Sequence, residues 1–171
     1  MRIFLIGFMG SGKSSLGKRL ARRVGFDFLD LDNFIEEKTS KKIPNIIENN
    51  GEDVFRQIER DALLSMSDYD NIIIATGGGT PCFFDNMDSI LKMGTSVYLK
   101  MSPASLAKRL QDSNHIRPLI KNKTGKELHE KVTELLNQRE HHYLRANCII
   151  KGENAKPEHI ISLIFGQDLS F

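Results

Sequence analysis

Short apolar runs alternate with longer amphipathic stretches along the chain. The runs predict strands over Arg2–Ile6, Phe26–Asp30, Asn71–Ala75, Ser96–Leu99 and Cys148–Ile150. Between them, apolar residues recur at helical spacing. Leu16, Leu20 and Val24 stack at intervals of four, with Lys18, Arg19, Arg22 and Arg23 on the other face. Phe55, Ile58, Ala62 and Met66 form a second stripe. Leu106 and Leu110 mark a third helix, Leu128 to Tyr143 a fourth, and Ile160 to Ile164 a fifth. Strands alternating with helices predict an α/β fold, a parallel sheet covered by helices on both faces. A length of 171 residues without repeat or linker predicts a single domain over 1–171. One polar segment, Asp112 to Thr124, stands between two helices. It reads either as a mobile loop over the site or as a plain surface connection.

Composition narrows the partners. Lys plus Arg number 24 against 22 Asp plus Glu, a net charge of +2, without the basic excess of a nucleic-acid binder. No run approaches the roughly 18 apolar residues of a membrane span. The opening run Ile3–Ile6 is too short for a signal peptide and leads straight into glycines, so it reads as a buried strand. Cys82 and Cys148 fit no metal-ligand spacing and read as reduced thiols. The expectation is a cytoplasmic monomer with no nucleic-acid or membrane partner.

Gly7-Phe8-Met9-Gly10-Ser11-Gly12-Lys13-Ser14 matches the phosphate-loop pattern G-x-x-x-x-G-K-[ST] at every fixed position. Glycines let the backbone curl until successive N–H groups face phosphate oxygens. The helix that follows aims the positive end of its dipole at the same anion. Lys13 supplies a charge to the β- and γ-phosphates, and Ser14 offers a hydroxyl to Mg²⁺. The motif follows a strand and opens a helix, as phosphate binding requires. It identifies a nucleoside triphosphate, not a reaction.

Phe28-Leu29-Asp30-Leu31-Asp32 alternates apolar and acidic residues, so Asp30 and Asp32 share a side if the strand runs through both. They fall at the C-terminal edge of a parallel sheet, where ligands bind. One carboxylate can then serve the Mg²⁺ shell while the other orients an acceptor hydroxyl and takes its proton. Alternatively, Asp32 caps the next helix and Asp30 is a solvated strand end.

Two arginines sit at telling positions. Leu128, Val132, Leu135, Arg139 and Tyr143 continue one helical stripe, which points Arg139 inward. An inward guanidinium needs a partner. A substrate carboxylate, an internal salt bridge, or a buried stem with its head in water each satisfies it. Arg56 stands three residues before Glu59, which fits a surface ion pair or a pocket arginine oriented by that carboxylate. The strand Ile72–Ala75 ends in Thr76-Gly77-Gly78-Gly79-Thr80 rather than in an aspartate for Mg²⁺. Three glycines suit close approach of backbone to a ligand.

Together, Gly10–Ser14, Asp30 with Asp32, Gly51-Glu52 with Phe55-Arg56 and Glu59, Gly77-Gly78-Gly79, Arg117-Pro118-Leu119, and Arg139 with Tyr143 resemble the shikimate kinase family in type and order. The resemblance spans residues 7 to 143. It implies a P-loop NTPase fold of the nucleoside-monophosphate-kinase type, with a five-stranded parallel sheet and a mobile lid over about 112–124. It implies transfer of the γ-phosphate of ATP, with Mg²⁺, to the 3-hydroxyl of shikimate, on the route to chorismate and aromatic amino acids. ATP would be held by Gly10, Ser11, Gly12, Lys13, Ser14 and Ser15, with Arg109 against the adenine and Arg117 closing from the lid. Shikimate would be held by Asp32, Arg56, Gly78, Gly79 and Arg139. Ser14 and Asp30 would serve the metal, and Asp32, Lys13 and Arg117 would be catalytic. Glu140-His141-His142 departs from the family, which often carries a proline there. Two rivals remain at this point: a kinase of the same fold for gluconate or a nucleotide, and a nucleotide-dependent switch that hydrolyses ATP slowly.

Overall fold

The five apolar runs form one parallel sheet, in the order β2-β3-β1-β4-β5. Its strands are β1 (Arg2–Ile6), β2 (Asp27–Asp30), β3 (Ile72–Ala75), β4 (Thr95–Lys100) and β5 (Cys148–Lys151). The computed structural model describes residues 1–113, 120 and 123–166. The described helices are α1 (Lys13–Val24), α2 (Leu31–Thr39), α3 (Ile43–Asn50), α4 (Glu52–Leu64), α5 (Asn86–Met93), α6 (Pro103–Gln111), α7 (Gly125–Tyr143) and α8 (Pro157–Phe165). The expected lid over 112–124, with Arg117, lies mostly outside the described residues.

Because successive side chains on a strand point to opposite faces, the sheet supplies two cores. Ile3, Leu5, Ile73, Val97, Leu99 and Ile150 meet Leu16, Leu20 and Ala21 of α1 and Ile160 of α8. Phe4, Ile6, Ile72, Ile74 and Tyr98 face the other way, onto α2 through α7, through residues such as Ile35, Ile46, Leu63, Leu110 and Val132. Strands buried on both faces explain why β1 and β3 read as unbroken apolar runs. Gly17 of α1 fits tightly against the sheet: a Cβ there would lie 2.5 Å from the Phe28 ring.

Three helices escaped the periodicity. After β2 the chain turns at once into α2, whose first residue is Leu31, so the strand does not run through Asp32. The alternation at 28–32 spans two elements: Asp30 ends β2 and caps α2, while Leu31 and Asp32 already belong to the first turn of α2. α3 and α5 span 8 residues each, too short for a clear stripe. Met66, assigned above to the α4 stripe, lies instead in a 3-10 turn at Ser65–Asp68.

The register aligns the chain segments that matter. Asp30 pairs with Ala75, and Ala75 with Leu5. The segments leaving β1, β3 and β2 therefore emerge side by side at one edge of the sheet, where the strand order reverses about β1.

Candidate active site

The segment leaving β1 curls back on itself before α1. Gly10 and Gly12 take φ of 79° and 93°, a region that side chains avoid and that lets the loop wrap inward. Gly12 is the N-cap of α1, so the helix begins at Lys13 with its first turn at the cleft, the end of a helix that favours an anion. The Lys13 ammonium donates to the carbonyls of Gly7 and Phe8, 2.8 Å each, and to the Ser11 hydroxyl at 3.4 Å. It is 8% exposed. The loop thus holds a nearly buried cation at its own mouth.

A cleft of about 250 Å³ opens over this loop. Gly10, Gly12, Lys13, Ser14 and Ser15 line one wall, Asp30, Asp32, Thr76, Gly77 and Gly78 another, and Arg109 closes one end. Ser11 is buried beneath the loop rather than lining it. Arg109 donates to the Ser11 carbonyl and to the Glu153 carbonyl, 3.1 Å each, which ties the phosphate loop to the segment before α8.

The structure corrects the strand-based reading of the two carboxylates and keeps them together. Asp30 caps α2: its Oδ1 accepts from the backbone N–H of Asp32 at 3.1 Å and of Asn33 at 3.4 Å. Its Oδ2 accepts from the Ser14 hydroxyl at 2.5 Å. Asp32 sits on the first turn of α2, where the helix dipole favours a carboxylate. It faces the glycine triplet. A Cβ on Gly77 would lie 2.8 Å from Asp32 Oδ1 and 2.9 Å from Glu59 Oε1, so only glycine lets the β3 segment pass between these carboxylates.

Behind the triplet lies a buried polar network. Arg56 and Glu59, on α4, are 8% and 1% exposed, so the pair is internal and the surface-pair alternative falls. Arg56 Nη1 donates to Glu59 Oε2 at 2.7 Å, and Glu59 Oε1 accepts from the Thr80 hydroxyl at 2.5 Å. The guanidinium stands 3.8 Å from the centre of the Phe83 ring. A Cβ on Gly79 would sit 2.7 Å from Arg56 Nη1, which fixes glycine there as well. The Tyr143 hydroxyl donates to the Gly78 carbonyl at 2.5 Å. In a trans peptide the N–H of Gly79 then points away from Tyr143. Burial holds that hydroxyl well above its ordinary pKa, so it remains a donor.

Arg139 is half-buried on α7, its guanidinium 5.9 Å from the Phe8 ring. No carboxylate among the described residues forms an ion pair with it, so among those residues the internal salt bridge has no partner to offer. One turn beyond Arg139 on α7, Tyr143 reaches the Gly78 carbonyl, and the Cys82 thiol feels the charge of both guanidiniums. Burial pushes that thiol up to about 11 against the pull of Arg139, so it is neutral near pH 7. Arg56 and Gly79 stand beyond the phosphate-loop cleft and adjoin it through the triplet, and Arg139 lies by the Phe8 ring of the loop. Arg117 lies outside the described residues.

The sequence pattern passed over Glu52 and Thr80 as partners of the arginine–glutamate pair, Phe83 beneath the guanidinium, and the Tyr143 hydroxyl. Glu52 had a signal, since it stands four residues before Arg56 in the orientation that favours an ion pair. Thr80 and Phe83 had none, because their contacts cross from one element to another.

Ser14 and Asp30 offer two adjacent oxygens at the phosphate-loop wall. Among the described residues no group of three or more His, Cys, Asp or Glu gathers that could hold a metal. Two hard oxygens beside a phosphate site suit Mg²⁺, which keeps several waters and takes phosphate oxygens as further ligands.

Comparison with known proteins gives a consistent result. A model of the shikimate kinase family matches residues 9–167. The shikimate kinase of Parabacteroides distasonis is 43% identical over 157 residues, covering 92% of this chain and 91% of that protein. The crystal structure of shikimate kinase from Bacteroides thetaiotaomicron superposes with a TM-score of 0.91 at 35% identity, covering 96% of this chain and 98% of the other. The Acinetobacter baumannii shikimate kinase, solved in complex with shikimate, superposes with a TM-score of 0.87 at 32% identity, covering 98% and 94%.

Proposed function

The chain belongs to the shikimate kinase family, and from that premise we propose that it transfers the γ-phosphoryl group of ATP to the 3-hydroxyl of shikimate, giving shikimate 3-phosphate and ADP. The observation that carries this reading is the opposition across one sheet edge. A phosphate loop and a carboxylate face each other there, with Arg56 against Gly79 of the triplet and Arg139 near the Phe8 ring of the loop. A triphosphate and a carboxylated alcohol are the ligands that such ends accept.

Phosphoryl transfer needs in-line placement and charge neutralisation more than covalent help from the protein. Gly10, Gly12, Ser14 and Ser15 wrap the triphosphate with their N–H groups, and Ser11, whose own N–H closes the loop onto the Phe8 carbonyl at 3.2 Å, shapes that wrap from beneath. Lys13 exchanges the loop carbonyls for phosphate oxygens and lowers the cost of charge on the transferred group. Arg109, already against the loop, packs on the adenine. Ser14 and Asp30 hold Mg²⁺, which neutralises phosphate charge when bound. Asp32 orients the 3-hydroxyl and takes its proton as the phosphoryl group leaves. Arg56, Arg139 and the N–H groups of Gly78 and Gly79 hold the shikimate end. Arg117, on a lid over about 112–124, adds a final charge and excludes water that would otherwise receive the phosphoryl group. Residues 1–171 act as one domain, as a monomer in the cytoplasm, without nucleic acid or membrane. No helix among the described residues is long and apolar enough to cross a membrane.

The test is an acceptor panel. ADP release should rise at least about a hundredfold above the acceptor-free rate with shikimate. Gluconate and nucleoside monophosphates should leave it near background. Equal ADP release with and without shikimate would refute the proposal and favour a hydrolytic switch.

A further inference from the structure

We propose that Glu52 is a resident stand-in for the substrate's carboxylate, which occupies the binding edge of Arg56 and must be displaced when shikimate enters. The inference rests on the kinase reading above and specifies how its acceptor end works.

Arg56 presents two edges. The Nη1 side is fixed by the buried Glu59 carboxylate at 2.7 Å, and the guanidinium plane is set by the Phe83 ring at 3.8 Å. The remaining edge, Nε with Nη2, is the one a planar carboxylate grips through two parallel bonds. Here it is taken by Glu52: Nε at 3.2 Å and Nη2 at 2.9 Å both donate to the same oxygen, Oε1. Two donors converging on one oxygen make a poorer pair than a fork meeting both oxygens of a carboxylate. A ligand carboxylate can therefore outcompete it.

Charge makes exchange necessary. Arg56 carries one positive charge against the two negative charges of Glu52 and Glu59, and even with Arg139 included the four groups sum to zero. An anionic ligand arriving with Glu52 in place gains no net attraction. Once Glu52 leaves, the sum is +1. Glu52 is built to leave. Its side chain is 50% exposed, whereas those of Arg56 and Glu59 are 9% and 2% exposed. It is also the first residue of α4, following Gly51 at φ 88°, so a released carboxylate stays beside the favourable end of the helix dipole. Without ligand, Glu52 spares the buried guanidinium an unpaired edge.

A consequence separates this role from plain packing. Glu52 weakens binding only of acceptors that bring their own carboxylate. The measurement is isothermal titration of shikimate and of its methyl ester into the wild type, Glu52→Gln and Glu52→Asp, with melting curves to confirm folding. Glu52→Gln should lower the shikimate Kd by about two- to fivefold, the scale of a partly exposed ion pair, and leave the ester unchanged. Glu52→Asp, one methylene shorter, should fall between. In turnover, the gain should appear in the shikimate KM rather than in kcat. A shikimate Kd that is unchanged or higher in both variants overturns the displacement, as does equal tightening toward shikimate and ester. If the wild type neither binds nor phosphorylates shikimate, the kinase reading itself falls, which its own acceptor panel reports separately.

Discussion

Asp32 is the residue on which the proposed chemistry turns. It lines the cleft opposite the phosphate loop, and only glycine at position 77 lets the neighbouring strand end pass beside it. Replacing Asp32 by Asn keeps the shape and removes the proposed base. ATP binding, followed by titration, should change less than about threefold, while kcat should fall by about 10²–10⁴. Near-normal turnover would take Asp32 out of the catalytic role. Arg139 makes a different prediction. Among the described residues it has no ion-pair partner, unlike the doubly engaged Arg56. Arg139→Ala should weaken shikimate binding by about 1.5–3 kcal/mol, the scale of a charged hydrogen-bond pair, and spare ATP. An unchanged shikimate KM would return it to a structural role. Both residues were legible in the sequence, Asp32 from its place after a strand and Arg139 from its place on an apolar stripe. The partner of Arg139 was not legible in the pattern, because an inward arginine has several partners in principle.

Elements were legible in proportion to their length and to how fully they are buried. β1 and β3 are apolar throughout because both their faces are covered, and α1 and α7 are long enough to show a stripe. The helices α2 and α3 were missed, and with them the contact that joins them. Glu36 of α2 accepts from Lys42 Nζ at 2.6 Å and from the backbone N–H of Ile43 at 3.1 Å, so it caps α3 from a neighbouring helix. A cap supplied from another element leaves no local pattern. Partial burial pushes the Glu36 carboxyl up, but the Lys42 and Ile43 hydrogen bonds and the Lys42 charge outweigh it and hold the group below its ordinary 4.5. A lowered folded-state pKa gives stability that is present above the unfolded value and is lost as pH falls through the folded one. The melting temperature of the wild type should therefore exceed that of Glu36→Gln at about pH 6, and the gap should shrink toward about pH 3. A gap independent of pH would mean that the Glu36 charge does not support this joint.

At the scale of the molecule, the strand order 2-3-1-4-5 brings three segments that are distant in sequence to one edge of the sheet. The motifs announced the two halves of the site separately, as a phosphate loop and as an acidic pair with arginines. Their meeting depends on register, Leu5 beside Ala75 beside Asp30, which no local pattern encodes. The central claim is that this edge holds ATP and shikimate facing each other, with the shikimate 3-hydroxyl toward the γ-phosphate. It is tested most directly by a crystal structure with shikimate and a non-hydrolysable ATP analogue bound together. The account predicts the analogue's phosphates within the Gly10–Ser15 loop, the 3-hydroxyl hydrogen-bonded to Asp32, and the shikimate carboxylate on Arg56 and Arg139. Shikimate bound away from these three side chains, with the triphosphate still in its loop, would contradict it.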